Sequence, residues 1–130
     1  MRKLFVALML LVLFIAPAYA ENWVNMGSNG KNTGWLDTDA TTDLGGGIVR
    51  IKTKIVPDAP NGEWDYFIMI MELNCNVKSQ RTIRYIYYKG PGPGQEYAAG
   101  EEDLEWRRIL PGSNAESLSD RSCRYKMIEK

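Results

Sequence analysis

The chain has two cysteines, Cys75 and Cys123, and this pair restricts the fold more than any other feature. Cys75 follows the most apolar run outside the N-terminus, Trp64 to Leu73 (WDYFIMIMEL). Cys123 ends a segment in which Ser113 and Glu116 stand at the spacing of a helix capping box, just after Pro111-Gly112. Two thiols allow one pairing. In an oxidising compartment that pairing is a disulfide, and it ties a C-terminal helix to the end of a strand. It closes a loop of about 49 residues, worth about 4 kcal/mol in the chain-entropy treatment. Free functional thiols are the weaker reading, because the spacing is not C-x-x-C and the chain has no histidine.

The compartment is read from the first twenty residues. Arg2 and Lys3 precede an apolar stretch, Leu4 to Ala16, of 13 residues. That is short for a membrane span. Pro17 breaks it, and Ala18-Tyr19-Ala20 has the small residues of a signal-peptidase site. The expectation is a signal peptide over 1–20 and a single domain over 21–130, preferred to an N-terminal membrane anchor. No cysteine follows the apolar stretch, so a lipid-anchored start on a cysteine is not expected, and the protein is periplasmic or secreted. No later segment is long and apolar enough to span a bilayer. Losing Arg2 and Lys3 leaves 14 cations against 16 carboxylates. That balance argues against a nucleic-acid partner, which requires a positive excess.

Turn residues punctuate the mature chain, and the segments between them read as strands. Asn22 to Met26 and Thr33 to Asp37 are short. Ile48 to Val56 alternates, with Val49, Ile51, Thr53 and Ile55 on one face and Arg50, Lys52 and Lys54 on the other. Trp64 to Leu73 and Gln80 to Lys89 are rich in β-formers. Gly90-Pro-Gly-Pro-Gly94 is a loop. Glu96-Tyr97 and Leu104 to Arg108 supply a last strand or edge. The expected fold is α+β: an antiparallel sheet of five to six strands with one C-terminal helix tied to one face by the disulfide. Ala115, Leu118 and Ser122 share a face of that helix.

Strand phase extends the inference. In a regular strand Phe67, Met69, Met71 and Leu73 share a face with Cys75, beneath the helix. Trp64, Tyr66, Ile68 and Ile70 then point away from it, joined from the next strand by either Tyr85 and Tyr87 or Ile86 and Tyr88. One short helix cannot cover both faces. An uncovered aromatic face on an exported domain predicts contact with another molecule, so these four residues form the candidate binding face.

Taken together, the residues resemble the surface-adhesin protein E-like domain family of Gram-negative bacteria. The resemblance rests on Trp23, the step Trp35-Leu36-Asp37, Cys75, and the Arg-aromatic strand Arg81, Arg84, Tyr85 and Tyr87. It ends on Trp106, Ile109, Pro111, Ser113, Glu116, Leu118 and Cys123. It implies a sheet with a C-terminal helix tied across one face, and an adhesin-like protein that binds another protein. The chain departs from the lipid-anchored Haemophilus member in lacking a lipobox cysteine. No ligand-contact residue of the family is carried over to a position here.

Catalytic chemistry finds little support. Without histidine there is no Ser-His-Asp or Cys-His site and no histidine metal ligand. Asp37, Asp39 and Asp43 only faintly suggest a calcium loop, since Thr42 and Ile48 stand where an EF-hand needs Gly and Glu. They read better as turn residues. The acidic run Glu101-Glu-Asp103 with Glu105 reads as a solvated loop, and Gly45-Gly-Gly47 lacks the Lys-Ser/Thr of a phosphate loop. The sequence therefore predicts a non-catalytic exported domain with no cofactor and no metal. Its expected partner is a protein of the envelope or the exterior, and a homodimer is admissible. The alternative is a periplasmic accessory or inhibitor module docking on an envelope protein.

Overall fold

Three long strands with alternating side chains form the middle of the fold. In the computed structural model, which describes residues 21–128, these are β4 (Ile48–Pro57), β5 (Tyr66–Asn74) and β6 (Ser79–Tyr88). The signal peptide expected over 1–20 lies outside the described residues. Before β4 come β1 (Trp23–Ser28), β2 (Asn32–Asp37) and β3 (Thr42–Gly45). After β6 come β7 (Gln95–Ala98), a single helical turn α1 (Glu101–Leu104), β8 (Arg107–Arg108) and the helix α2 (Asn114–Ile128). The sheet has eight strands, in the order β1-β2-β4-β5-β6-β7, with β3 pairing β4 and β8 pairing β6 off that path. All pairings are antiparallel. The six strands of the main path match the expected number. The two extra ones, β3 and β8, are four and two residues long, too short for alternation to reveal.

Register decides what each face carries. β4 and β5 pair without interruption from Ile48↔Asn74 to Ile55↔Phe67. Val49, Ile51 and Thr53 therefore lie beside Leu73, Met71 and Met69 on one face, while Arg50, Lys52 and Lys54 lie beside Glu72, Ile70 and Ile68 on the other. The first face holds the core: Leu36, Val49, Ile51, Met71, Leu73 and Ile109 are buried together. Ala115 and Leu118 of α2 pack against it.

The helix starts and attaches as its sequence predicts. The Ser113 hydroxyl accepts from the Glu116 N–H at 3.2 Å. The Glu116 carboxylate reaches back to the Gly112 N–H at 3.3 Å, one residue before the usual partner in a capping box. Cys75 and Cys123 form the disulfide, with Cα atoms 5.9 Å apart. Ser119 and Ser122 are buried where the helix meets the sheet, small enough to let it approach.

Gly94 is required by a contact with ring and aliphatic side chains. The Tyr88 ring lies over the backbone of Gly94, just before β7. A Cβ there would stand 2.5 Å from Ile86 Cγ2 and 2.6 Å from Tyr88 Cζ. Gly94→Ala is expected to lower unfolding free energy by about 1–3 kcal/mol, the usual cost of overpacking, as read by urea denaturation. An unchanged midpoint would show that Tyr88 swings aside freely.

Candidate functional site

Among the described residues, the face of the sheet away from α2 is lined by strand side chains and has no helix over it. The register places Tyr66, Ile68 and Ile70 there from β5, and Ile86 and Tyr88 from β6 opposite Ile68 and Tyr66. Of the two alternatives left open by the sequence, it is Ile86 and Tyr88 that join this face. Tyr66 and Tyr88 stack at 4.6 Å between ring centroids, 13° from parallel. Ile68 is 5% exposed, shielded by its taller neighbours.

Trp64 is not on this face. It precedes β5, in a turn where Asn61 Oδ1 accepts the N–H groups of Glu63 and Trp64. The alternation of the strand does not extend to it. Its ring packs edge-on against Phe67 at 4.9 Å and near Tyr87 at 6.2 Å, residues of the helix side. Phe67 in turn leaves the space beneath the helix and joins a cluster with Tyr85 and Tyr87. Of the four candidates, the structure brings Tyr66, Ile68 and Ile70 together and sets Trp64 on the opposite side.

Three rings surround one cation at the edge of the face. The Lys54 ammonium stands 4.5 Å from the Trp23 ring centroid, 5.9 Å from Trp35 and 5.8 Å from Tyr66. Lys52 lies 5.5 Å from Trp23 and pairs with Glu21 at 3.0 Å. Glu21 also accepts from the Trp23 indole N–H at 2.8 Å. The bonds from Trp23 and Lys52 hold the Glu21 carboxyl below its ordinary value. Each cation–π contact stabilises modestly at a wet surface, about 0.5–1 kcal/mol.

The other end of the face carries a buried carboxylate. Glu72, 3% exposed, receives Arg50 at 2.7 Å and Arg81 at 2.6 Å on its two oxygens. The Arg81 guanidinium lies 4.5 Å from the Trp106 ring. Burial alone pushes the Glu72 carboxyl up; the hydrogen bonds and charges of the two arginines outweigh it, so the group titrates below its ordinary value. Arg84 faces Glu96 of β7 at 3.8 Å. Five cations and three carboxylates thus border this face, and one of those carboxylates is buried.

Among the described residues no group of Asp, Glu, His or Cys is arranged to hold a metal. Asp37 acts as a turn acceptor, taking the N–H groups of Asn22 and Asp39 at 3.2 and 3.1 Å. No helix among the described residues is long and apolar enough to cross a membrane.

The model of the family described as surface-adhesin protein E matches residues 23–124. The chain belongs to that family. No curated protein and no solved structure matches it. Several of the residues that carry the sequence resemblance to surface-adhesin protein E prove to be scaffold. Trp23 cages Lys54 and Arg81 clamps Glu72. Trp106 covers Arg81, Ile109 and Leu118 pack the core, and Ser113 with Glu116 caps α2. They specify how the adhesin domain is held together.

Proposed function

We propose that this member of the surface-adhesin protein E family is an exported, non-catalytic module that binds another protein through the sheet face away from its helix. The observation that carries the reading is the Tyr66–Tyr88 stack beside Ile70 and Ile86, on a face that no described element covers. Aromatic and arginine side chains at the centre of a surface are the composition of binding hot spots. The excess of five cations over three carboxylates around this face favours a partner that presents carboxylates. The signal-peptide features of residues 1–20 support export.

Tyr66→Ser combined with Ile70→Ser is expected to weaken partner capture about tenfold or more, with folding checked by circular dichroism. Trp64→Ser, on the other side of the sheet, is expected to leave capture unchanged. Undiminished capture by the double variant would remove this face as the site. Cell fractionation separates adhesion, which needs surface or medium exposure, from a periplasmic accessory role.

A further inference from the structure

A carboxylate already sits at the edge of the open face, and it belongs to the chain itself. Trp23 pairs with Asp37, Asn25 with Trp35, and Trp35 with Lys54, so the Trp23 ring stands on the side of the sheet away from α2. Lys52, beside Ile70, is on the same side. The Trp23 indole N–H and the Lys52 ammonium donate to the two oxygens of Glu21, at 2.8 and 3.0 Å. Lys54, packed on the Trp23 ring at 4.5 Å, brings a second positive charge close by.

The donors are positioned without help from Glu21. Trp23 lies in β1 with Lys54 on its ring, and Lys52 lies within β4. The arm that meets them is loosely attached. Strand pairing begins at Trp23. Asn22 is still anchored, its N–H on the Asp37 carboxylate and its carbonyl under the Thr38 N–H. Beyond that anchor the Glu21 side chain is 52% exposed, and among the described residues its hydrogen bonds are those to Trp23 and Lys52. An exposed ion pair of this kind is worth at most about a factor of five in an equilibrium constant. An indole has a single N–H, so Trp23 serves Glu21 or an outside acceptor, not both. With Glu21 turned away, five cations border the face against two carboxylates, one of them the buried Glu72. An approaching carboxylate is drawn to those cations and repels Glu21.

We propose that the Trp23 indole N–H and Lys52 form a carboxylate subsite of this face, filled by Glu21 in the free protein and by an aspartate or glutamate side chain of the partner in the complex. This subsite rests on the protein-binding reading above, to which it adds a position and a built-in competitor. Glu21 must leave before an acidic partner docks, so it weakens capture.

The test uses the exported protein as the cell processes it, labelled with nitrogen-15, and acetyl-tetraglutamyl amide as the probe. The four tryptophans of the chain give separate indole N–H resonances, and Trp23→Phe identifies one of them. That resonance is expected to move saturably with the probe. It should stay in place with acetyl-tetraglutaminyl amide, or with sodium chloride at matched ionic strength. Glu21→Ala should reach half-saturation at about fivefold less probe. Glu21→Gln, which keeps an acceptor but not the charge, should fall between it and the wild type. In the Glu21→Ala background, where the arm cannot compensate, Lys52→Met should weaken the probe about fivefold, with melting curves showing which variants fold. A Trp23 resonance that ignores the probe, or that moves equally with the neutral peptide or with salt, would overturn the subsite. Equal affinity for wild type and Glu21→Ala would overturn the competition. Both results leave the face itself standing, since it falls only if Tyr66→Ser with Ile70→Ser leaves partner capture undiminished.

Discussion

Replacing Cys75 and Cys123 together with serine is expected to lower unfolding free energy by about 4 kcal/mol, the chain-entropy value for a loop of this length. A domain of this kind has about 5–15 kcal/mol in total, so the variant should be close to unfolded at 37 °C. The helix makes this strong dependence understandable. Ala115 and Leu118 are its residues packed on the core. A buried leucine contributes about 2–3 kcal/mol. Leu118 is only partly buried and contributes less than that, and against it stands Ser122, fully buried, whose hydroxyl has no partner among the described residues. An unpaired hydroxyl costs about 1–3 kcal/mol by protein mutational data. Among the described residues of α2 the two nearly cancel, so the cross-link is expected to decide whether the helix stays docked. Urea unfolding of the oxidised protein and of the double serine variant measures this. A difference below about 1 kcal/mol would mean that the helix is held by packing after all.

Neutralising Glu72 is the second large effect. Glu72→Gln keeps the shape but leaves two guanidiniums facing an amide in a site that is nearly closed to water. Breaking a buried ion pair costs about 3–5 kcal/mol when the remaining charge cannot escape. Arg50 and Arg81 are 48% and 33% exposed and can turn to solvent, so a loss of about 2–3 kcal/mol is expected. The effect should depend on pH. The folded-state carboxyl titrates below its ordinary value, and the unfolded group near 4.3. Its contribution is therefore complete above about pH 5 and fades as pH falls through the lower, folded value. Wild type and Glu72→Gln should differ by a constant amount from about pH 6 to 8 and converge toward pH 3. A gap that is absent at neutral pH, or unchanged at pH 3, would show that the charge is not what Glu72 contributes.

Much of this fold is legible in the residues. Alternation from Ile48 to Val56 sorts Arg50, Lys52 and Lys54 from Val49, Ile51, Thr53 and Ile55, because one side of the strand is dry and the other wet. The capping pair Ser113 and Glu116 marked the helix start, and two cysteines left one disulfide. Where the reading stopped short, local backbone geometry was the reason. Trp64 was assigned by extending the phase of β5 backward, but the Asn61 turn ends that phase before the strand begins. In β6, a bulge opposite Ile70 and Met71 inserts Ile83 between Thr82 and Arg84. Thr82 and Tyr85 therefore share the helix side, although they are three residues apart. The same shift brings Arg81 onto Glu72, a contact that strict alternation does not reveal.

The family signature has a related lesson. Trp23, Arg81 and Trp106, which carry the resemblance, each have a partner within the domain. The residues proposed for contact are Tyr66, Ile70, Ile86 and Tyr88; alternation placed the first two away from the helix but left Ile86 and Tyr88 open against Tyr85 and Tyr87, which the register decides.

The central physical claim is one-sided cover: a stapled helix shields one face of the sheet and leaves the other open. Hydroxyl-radical footprinting of the folded, oxidised protein tests it directly. Tyr66, Tyr88 and Trp23 should be modified readily, while Met71, 6% exposed and intrinsically easy to oxidise, stays protected until the disulfide is reduced. Met71 reacting equally fast before and after reduction would contradict the account.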